Sequence, residues 1–211
     1  MMSKAQLGIV LSRLKGFIQP KVRTEQYLTN PEIAADMIYG AYMAGYIDGK
    51  IIADFGAGNG ILGLGAALMG AGKTYLIESE SKAIGIINKN MDLLKSELGD
   101  LFDQNKVVIF EGDVEKFSEK VDLILQNPPF GTKKEHADKE FLAKAFELAG
   151  NVYTLHKTST REFIIEFAFK NNFILKEAVD YRFRLKKSMG YHIKPSKIIE
   201  VTLFKFTRIK K

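Results

Sequence analysis

The sequence predicts an α/β protein, with a mostly parallel sheet, helices on both faces and an antiparallel C-terminal hairpin at one edge. Strand-like and helix-like runs alternate through most of the 211 residues. The strand-like runs are almost continuously apolar, as strands become when helices cover both of their faces. The last two, KEAVDYRFRL and IIEVTLFKFTRI, follow each other with no helix between them, so they pair antiparallel.

The amino-terminal stretch MMSKAQLGIVLSRLKGF reads as an amphipathic helix. Arg13 and Lys15 interrupt its apolar patch and no small-residue cleavage site follows, which is unlike a signal peptide. Asn30-Pro31-Glu32 then gives a cap residue, a proline at the first helical position and an acid in the first turn, a strong helix start. IAADMIYGAYMAGY continues it, with Gly40 and Gly45 weakening the helix or admitting a close neighbour. Residues 1–49 are therefore expected to be a helical preface to the sheet within a single domain spanning residues 1–211. The alternation follows: KIIADFGAG then ILGLGAALMGAG, TYLIES then KAIGIINKNMDLLKSEL, KVVIFEGD, VDLILQNPP then KEFLAKAFELAG, NVYTLH then REFIIEFAFKNN. With the final pair this makes seven strand-like runs.

An apolar fraction of 46% with 27% charged residues is ordinary for a globular protein, and no apolar run reaches the length of a membrane span. Cysteine is absent, which excludes disulfides and thiolate chemistry; with three histidines it also argues against a structural zinc site. A cytoplasmic protein without a metal is the simplest expectation. The net charge of +6 is modest, so its distribution matters more. Residues 182–197 hold Arg182, Arg184, Lys186, Lys187, Lys194 and Lys197 with no acid, and Phe183 and Tyr191 are interleaved. A basic stretch bearing aromatic rings suits a phosphate backbone and unstacked bases; the plain alternative is a solvated loop.

Four features fall at the carboxyl ends of predicted strands, where open α/β sheets bind ligands. Asp54-Phe-Gly-Ala-Gly-Asn-Gly60 turns from the first strand into a helix, and its glycines let the backbone approach a ligand. It matches neither the dinucleotide fingerprint nor a P-loop. Glu78 ends the second strand, where a carboxylate can accept from a ribose diol; Asp113 follows the third and Asn127 the fourth. Glu78 and Asp113 would repel a pyrophosphate yet hold a ribose and an adenine amino group. S-adenosylmethionine suits these positions, and its sulfonium charge favours the acidic cleft that Asp54 helps to create.

Asn127-Pro128-Pro129-Phe130 ends its strand with two residues that lack backbone donors. An adenine N6 amine is a poor nucleophile because its lone pair is delocalised into the ring. Two acceptors aimed at its hydrogens draw that pair out of conjugation. The Asn127 side-chain oxygen and a backbone carbonyl of the Pro128-Pro129 turn can serve, while Phe130 offers a face for stacking. A glutamine amide presents the same difficulty, so the tetrapeptide alone does not choose the substrate.

These residues resemble a class I S-adenosylmethionine-dependent methyltransferase of the amino-methylating branch. More closely, the chain resembles the small-subunit ribosomal RNA N6-adenosine methyltransferases of eukaryotes and archaea. The likeness covers about residues 20 to 206. It rests on Glu25-Gln-Tyr-Leu-Thr-Asn-Pro31, the glycine loop, Asn127-Pro-Pro-Phe-Gly-Thr-Lys133 and His156-Lys-Thr-Ser-Thr-Arg-Glu162. It implies a Rossmann-like fold in which Gln26, Tyr27 and Thr29 close over the cofactor. Gly56, Asn59 and Ile61, with Gly58 and Gly60 of the same loop, would line its methionine end, Glu78 its ribose and Asp113 its adenine. Asn127, Pro128, Pro129 and Phe130 would be catalytic. Glu78 stands where an aspartate is more usual, which alters only the geometry. The resemblance also implies an RNA partner and a small zinc-binding activator subunit paired along a sheet edge. Among the residues themselves, Lys133 and Lys134 after the catalytic turn can meet phosphates, and His156, with Lys157 and Arg161 alongside, can position the RNA. His156 and these basic residues equally admit structural or purely solvated roles. Two other functions stay open: a glutamine methyltransferase acting on release factors, and a non-catalytic RNA-binding module. The former family usually has Tyr in place of Phe130 and a larger amino-terminal domain.

Overall fold

The computed structural model describes residues 2–16, 28–129, 137–184 and 198–209. Its strands are Ile51–Phe55 (β1), Lys73–Glu78 (β2), Val107–Glu111 (β3), Val121–Gln126 (β4), Ala149–Lys157 (β5), Phe173–Arg184 (β6) and Ile198–Arg208 (β7). They form one seven-stranded sheet in the order β3-β2-β1-β4-β5-β7-β6. The first five strands run parallel; β7 is antiparallel to both β5 and β6, with an irregularity between Leu175 and Glu177. The expected hairpin is present, and its second strand lies inside the sheet, leaving β6 at the edge.

The helices are Lys4–Ser12 (α1), Pro31–Met43 (α2), Ile61–Leu68 (α3), Ser81–Leu98 (α4), Ala137–Leu148 (α5) and Arg161–Lys170 (α6). Among the described residues no helix is long and apolar enough to cross a membrane. Helix α1 starts at a reciprocal cap between Ser3 and Gln6. Asn30 caps α2 by accepting from the Glu32 amide at 2.8 Å, with Pro31 at the first position. Helices α1 to α4 share one face of the sheet: Leu7, Ile38, Leu64 and Ile87 cluster with Ile52, Leu76, Leu123 and Leu155. Helices α5 and α6 take the other, where Leu142, Phe146 and Ile164 meet Phe55, Ile124, Val152 and Phe204. Two-sided cover explains the unbroken apolar strands. Helix α3 is buried almost all round, and its glycines permit this. A Cβ on Gly65 would lie 2.4 Å from Ile38 Cδ1, and one on Gly63 1.9 Å from Leu76 Cδ2.

The amino-terminal helix stops at Ser12, before the end of the stretch that the sequence reads as helical. Beyond it the chain is caught by Asn90 of α4, fully buried in the middle of a charged-looking helix. The Lys15 amide donates to Asn90 Oδ1 at 2.7 Å, and Asn90 Nδ2 donates to the Lys15 carbonyl at 3.1 Å. The same nitrogen reaches the Asn59 carbonyl at 2.9 Å, while Asn59 Nδ2 also donates to Lys15 at 3.2 Å. One amide thus ties the preface to the glycine loop. Removing it strands buried backbone groups, which typically costs about 2–3 kcal/mol. Asn90→Ala is therefore expected to lower the Tm by about 5–10 °C. Amide exchange at residues 3–16 should accelerate more than in the sheet; uniform acceleration would contradict a local clamp.

Candidate active site

Sheet register brings the functional loops together. Phe55 is paired with Ile77 on one side and Gln126 on the other, so the glycine loop leaves β1 between Glu78 and Asn127. Glu78 is opposite Glu111, which sets Gly112 and Asp113 beside the next turn. A cleft of about 240 Å³ results, lined by Thr29, Asp54, Gly56, Gly58, Asn59, Ile61, Glu78, Asp113, Asn127, Pro128 and Pro129 among others. Gly56, Gly58 and Gly60 have φ of 68°, 60° and 83°, a left-handed conformation that strains other residues. Gly60 forms the hinge into α3 rather than the cleft wall, its amide donating to the Ala57 carbonyl at 2.7 Å. Gln26, Tyr27, Phe130, Lys133, Lys134, Lys186, Lys187, Lys194 and Lys197 lie outside the described residues.

Glu78 differs from expectation. Its Oε2 accepts from the Gly58 amide at 2.8 Å, and Oε1 from Ser79 and Glu80 at 2.8 and 2.9 Å. With about four acceptor sites on a carboxylate, one remains. The carboxylate therefore shapes the loop, and a grip on both hydroxyls of a ribose requires one of these three amides to release its bond. Asp113 is exposed, and one of its oxygens caps the following turn at Glu115 (3.0 Å). Asn59 directs its amide away to Lys15. Asn127 Nδ2 donates to Thr29 Oγ1 at 3.0 Å, while its Oδ1 is buried with no hydrogen-bond partner among the described residues.

The residues expected to meet RNA are placed differently from one another. His156 is 1% exposed, so the expectation of direct contact is corrected. Its position on β5 faces the core, where Nε2 lies 2.8 Å from Thr154 Oγ1, which also accepts from Gln126 at 3.0 Å. Arg161 pairs with Asp180 and comes within 3.4 Å of Thr202 Oγ1. Arg182 pairs with Glu200 at 3.0 Å on an exposed surface. Lys157 ends β5, and the backbone of Arg184 ends β6. Among the described residues no cluster of three or more His, Cys, Asp or Glu is arranged to hold a metal.

Several cleft residues escaped the sequence. Phe141 of α5 covers the glycine loop: a Cβ on Gly56 would lie 3.1 Å from its Cε1. Only the helical spacing of Phe141, Ala145 and Leu148 hinted that this side faced inward. Leu28 lies on the opposite wall and carried no signal.

The residues present fit S-adenosylmethionine. Glycine backbone approaches the cleft where side chains are excluded, three carboxylates line it, and an unsatisfied amide oxygen lies among them. Asp54 is the less ordinary carboxylate. It is 2% exposed and accepts from the Gly63 amide, in the first turn of α3, at 2.8 Å. Burial pushes its carboxyl up to about 7; the Gly63 bond opposes the shift and the Glu78 charge adds to it. Between its ordinary value of 3.8 and about 7, the folded chain holds a proton that the unfolded chain lacks. Stability from this group is therefore full below that window and lost as pH rises through about 7. Asp54→Asn keeps an acceptor for Gly63 and removes the buried charge. Its stability advantage over the parent should grow from pH 5 to pH 8, toward an upper bound of about 4 kcal/mol, with the Tm difference growing alongside. Affinity for the sulfonium cofactor should fall. Calorimetry at the two pH values checks both.

Comparison with known proteins bears on the family of the chain. Residues 36–177 match the family model Conserved hypothetical protein 95. The rRNA N(6)-adenosine-methyltransferase METTL5 of Danio rerio is 33% identical, over 98% of this chain and 99% of that protein. The corresponding Mettl5 of Drosophila melanogaster is 35% identical over 93% and 92%. Among solved structures, PH1948 of Pyrococcus horikoshii, a candidate RNA methyltransferase, superposes with a TM-score of 0.86 at 36% identity, each chain covered fully. The chain thus belongs to the Conserved hypothetical protein 95 family of class I methyltransferases, alongside the METTL5 proteins.

Proposed function

We propose that this chain is an S-adenosylmethionine-dependent methyltransferase that modifies N6 of an adenosine in RNA, and that the RNA is that of the small ribosomal subunit. The observation that carries this is Asn127 Oδ1, a buried acceptor left without a partner at the end of the cleft. A buried polar atom with nothing to bind is costly, and an incoming N6–H relieves that cost. The near full-length likeness to proteins named as rRNA N6-adenosine methyltransferases supports the substrate.

S-adenosylmethionine supplies an electrophilic methyl group on a sulfonium centre. Asn127 Oδ1 accepts one hydrogen of the amine, and a carbonyl of the Pro128-Pro129 turn accepts the other. The amine lone pair is thereby turned out of the ring plane and toward the methyl donor. Both prolines hold this arrangement without offering a competing donor. Glu78 stiffens the glycine loop through Gly58 and takes one ribose hydroxyl. Asp113 uses its remaining oxygen for the adenine of the cofactor, and Phe130 stacks on the target base. The target adenine must be unpaired or flipped to enter. Arg161 and Arg182 hold exposed acids that an RNA phosphate can displace, since surface pairs of this kind are weak. Lys133, Lys134, Lys157, Arg184, Lys186, Lys187, Lys194 and Lys197 are assigned to the RNA phosphates on their charge in the sequence alone. His156 stabilises the strand ends behind the catalytic turn instead of touching RNA.

A small zinc-binding activator suits the sheet edge at β3, where Val108 is 37% exposed. Strand addition there would satisfy open backbone groups and cover that side chain.

The test incubates the protein, alone and with such an activator, with labelled S-adenosylmethionine and unmodified small ribosomal subunits. The RNA is then digested to nucleosides for mass spectrometry. N6-methyladenosine is expected, and Asn127→Ala should reduce its formation at least about a hundredfold, the usual loss of a transition-state acceptor. Label entering a release factor and no RNA would overturn the assignment.

A further inference from the structure

We propose that Thr29 is a positioning residue that fixes the orientation of the Asn127 amide, so that its oxygen and not its nitrogen faces the amine being methylated. This rests on the reading of Asn127 as an acceptor and assigns the part of the chain that makes it one. The two ends of a carboxamide have nearly the same shape, and rotation about its last torsion is nearly two-fold. Packing alone therefore does not choose between them. In the flipped orientation an NH2 group would meet the hydrogens of the substrate amine, donor against donor, and the acceptor would be lost.

The structure shows one contact that distinguishes the ends. Asn127 Nδ2 donates to Thr29 Oγ1 at 3.0 Å, across 98 positions of sequence, while Oδ1 stays buried and without a partner among the described residues. Both residues line the same cleft. Thr29 is well placed to act as a fixed acceptor. The next residue, Asn30, is pinned as the cap of α2, its Oδ1 accepting from Glu32 at 2.8 Å and its carbonyl from Ala34 at 2.9 Å. Pro31 fixes the backbone beyond, and the β-branched side chain of Thr29 limits its own rotation. On the other side, Asn127 is held between the buried Gln126 and Pro128.

The test compares Thr29→Val, which keeps the shape and removes the hydroxyl, with Thr29→Ser, which keeps the hydroxyl. Side-chain amide resonances of Asn127 in the nitrogen-15-labelled full chain are identified by their loss in Asn127→Ala. In Thr29→Val this pair should move toward the position of a free amide and exchange faster with water; in Thr29→Ser it should stay near the parent. In steady-state assays Thr29→Val should lower kcat about tenfold to a hundredfold, with KM for RNA and Kd for S-adenosylmethionine within about twofold of the parent. Thr29→Ser should recover most of that rate. Unmoved Asn127 resonances in Thr29→Val, or an unchanged kcat in an active parent background, would overturn the proposal. If the parent forms no N6-methyladenosine while Thr29→Val still releases the amide, the reaction reading fails and the positioning role stands.

Discussion

The reversal of strand order at β1 is the constraint on which the site depends. From β1 the chain passes to α3 and β2 on one face of the sheet, whereas β4 leads to α5 and β5 on the other. The two loops leave neighbouring strands in opposite directions, and no helix can close the gap between them. A crevice at this point follows from topology before any side chain is chosen. The sequence then furnishes one rim with a glycine loop and the other with Asn127-Pro128-Pro129.

Within the crevice, acids do structural work that a ligand must share. Glu78 gathers three backbone amides and Asp54 one. Each carboxylate takes donors that the tight loop and the start of α3 leave otherwise unpaired. The cleft is thus negative without a cation present, and burial, with a smaller contribution from the Glu78 charge, tilts Asp54 toward its neutral form. A positively charged ligand would restore the ionised state, so charge and occupancy are linked at this one position.

Much of this was legible in the sequence, for a simple reason. Strand ends, alternating glycines and paired prolines are local signals, and Asp54, Glu78, Asp113 and Asn127 all fall at strand ends. What was not legible depends on contacts between distant segments. Asn90 looks like one more polar residue in a charged helix, yet it is buried against Lys15. Thr29 was expected to close over the cofactor and lines the cleft, but no local signal told that its hydroxyl accepts from Asn127. The helical spacing of Phe141 put it on an inward side, but its place over Gly56 depends on a loop far away in sequence. His156 was open to two readings because a lone histidine on a strand carries no mark of its face; pairing with Thr202 and packing on Phe204 decide it.

The insertion of β7 between β5 and β6 bears on how the chain is made. Strand β6 has no neighbour in the sheet except β7, and β5 keeps a bare flank until β7 arrives. During synthesis the first five strands can assemble in order, but the sheet cannot be completed until the last strand has left the ribosome. A growing chain therefore carries the long apolar-faced β6 and an open β5 edge together, the combination most prone to misassociation. Closure is a single late event in which β7 joins β5 and β6 at once. Nascent-chain quality control has its natural window in the interval between those two strands.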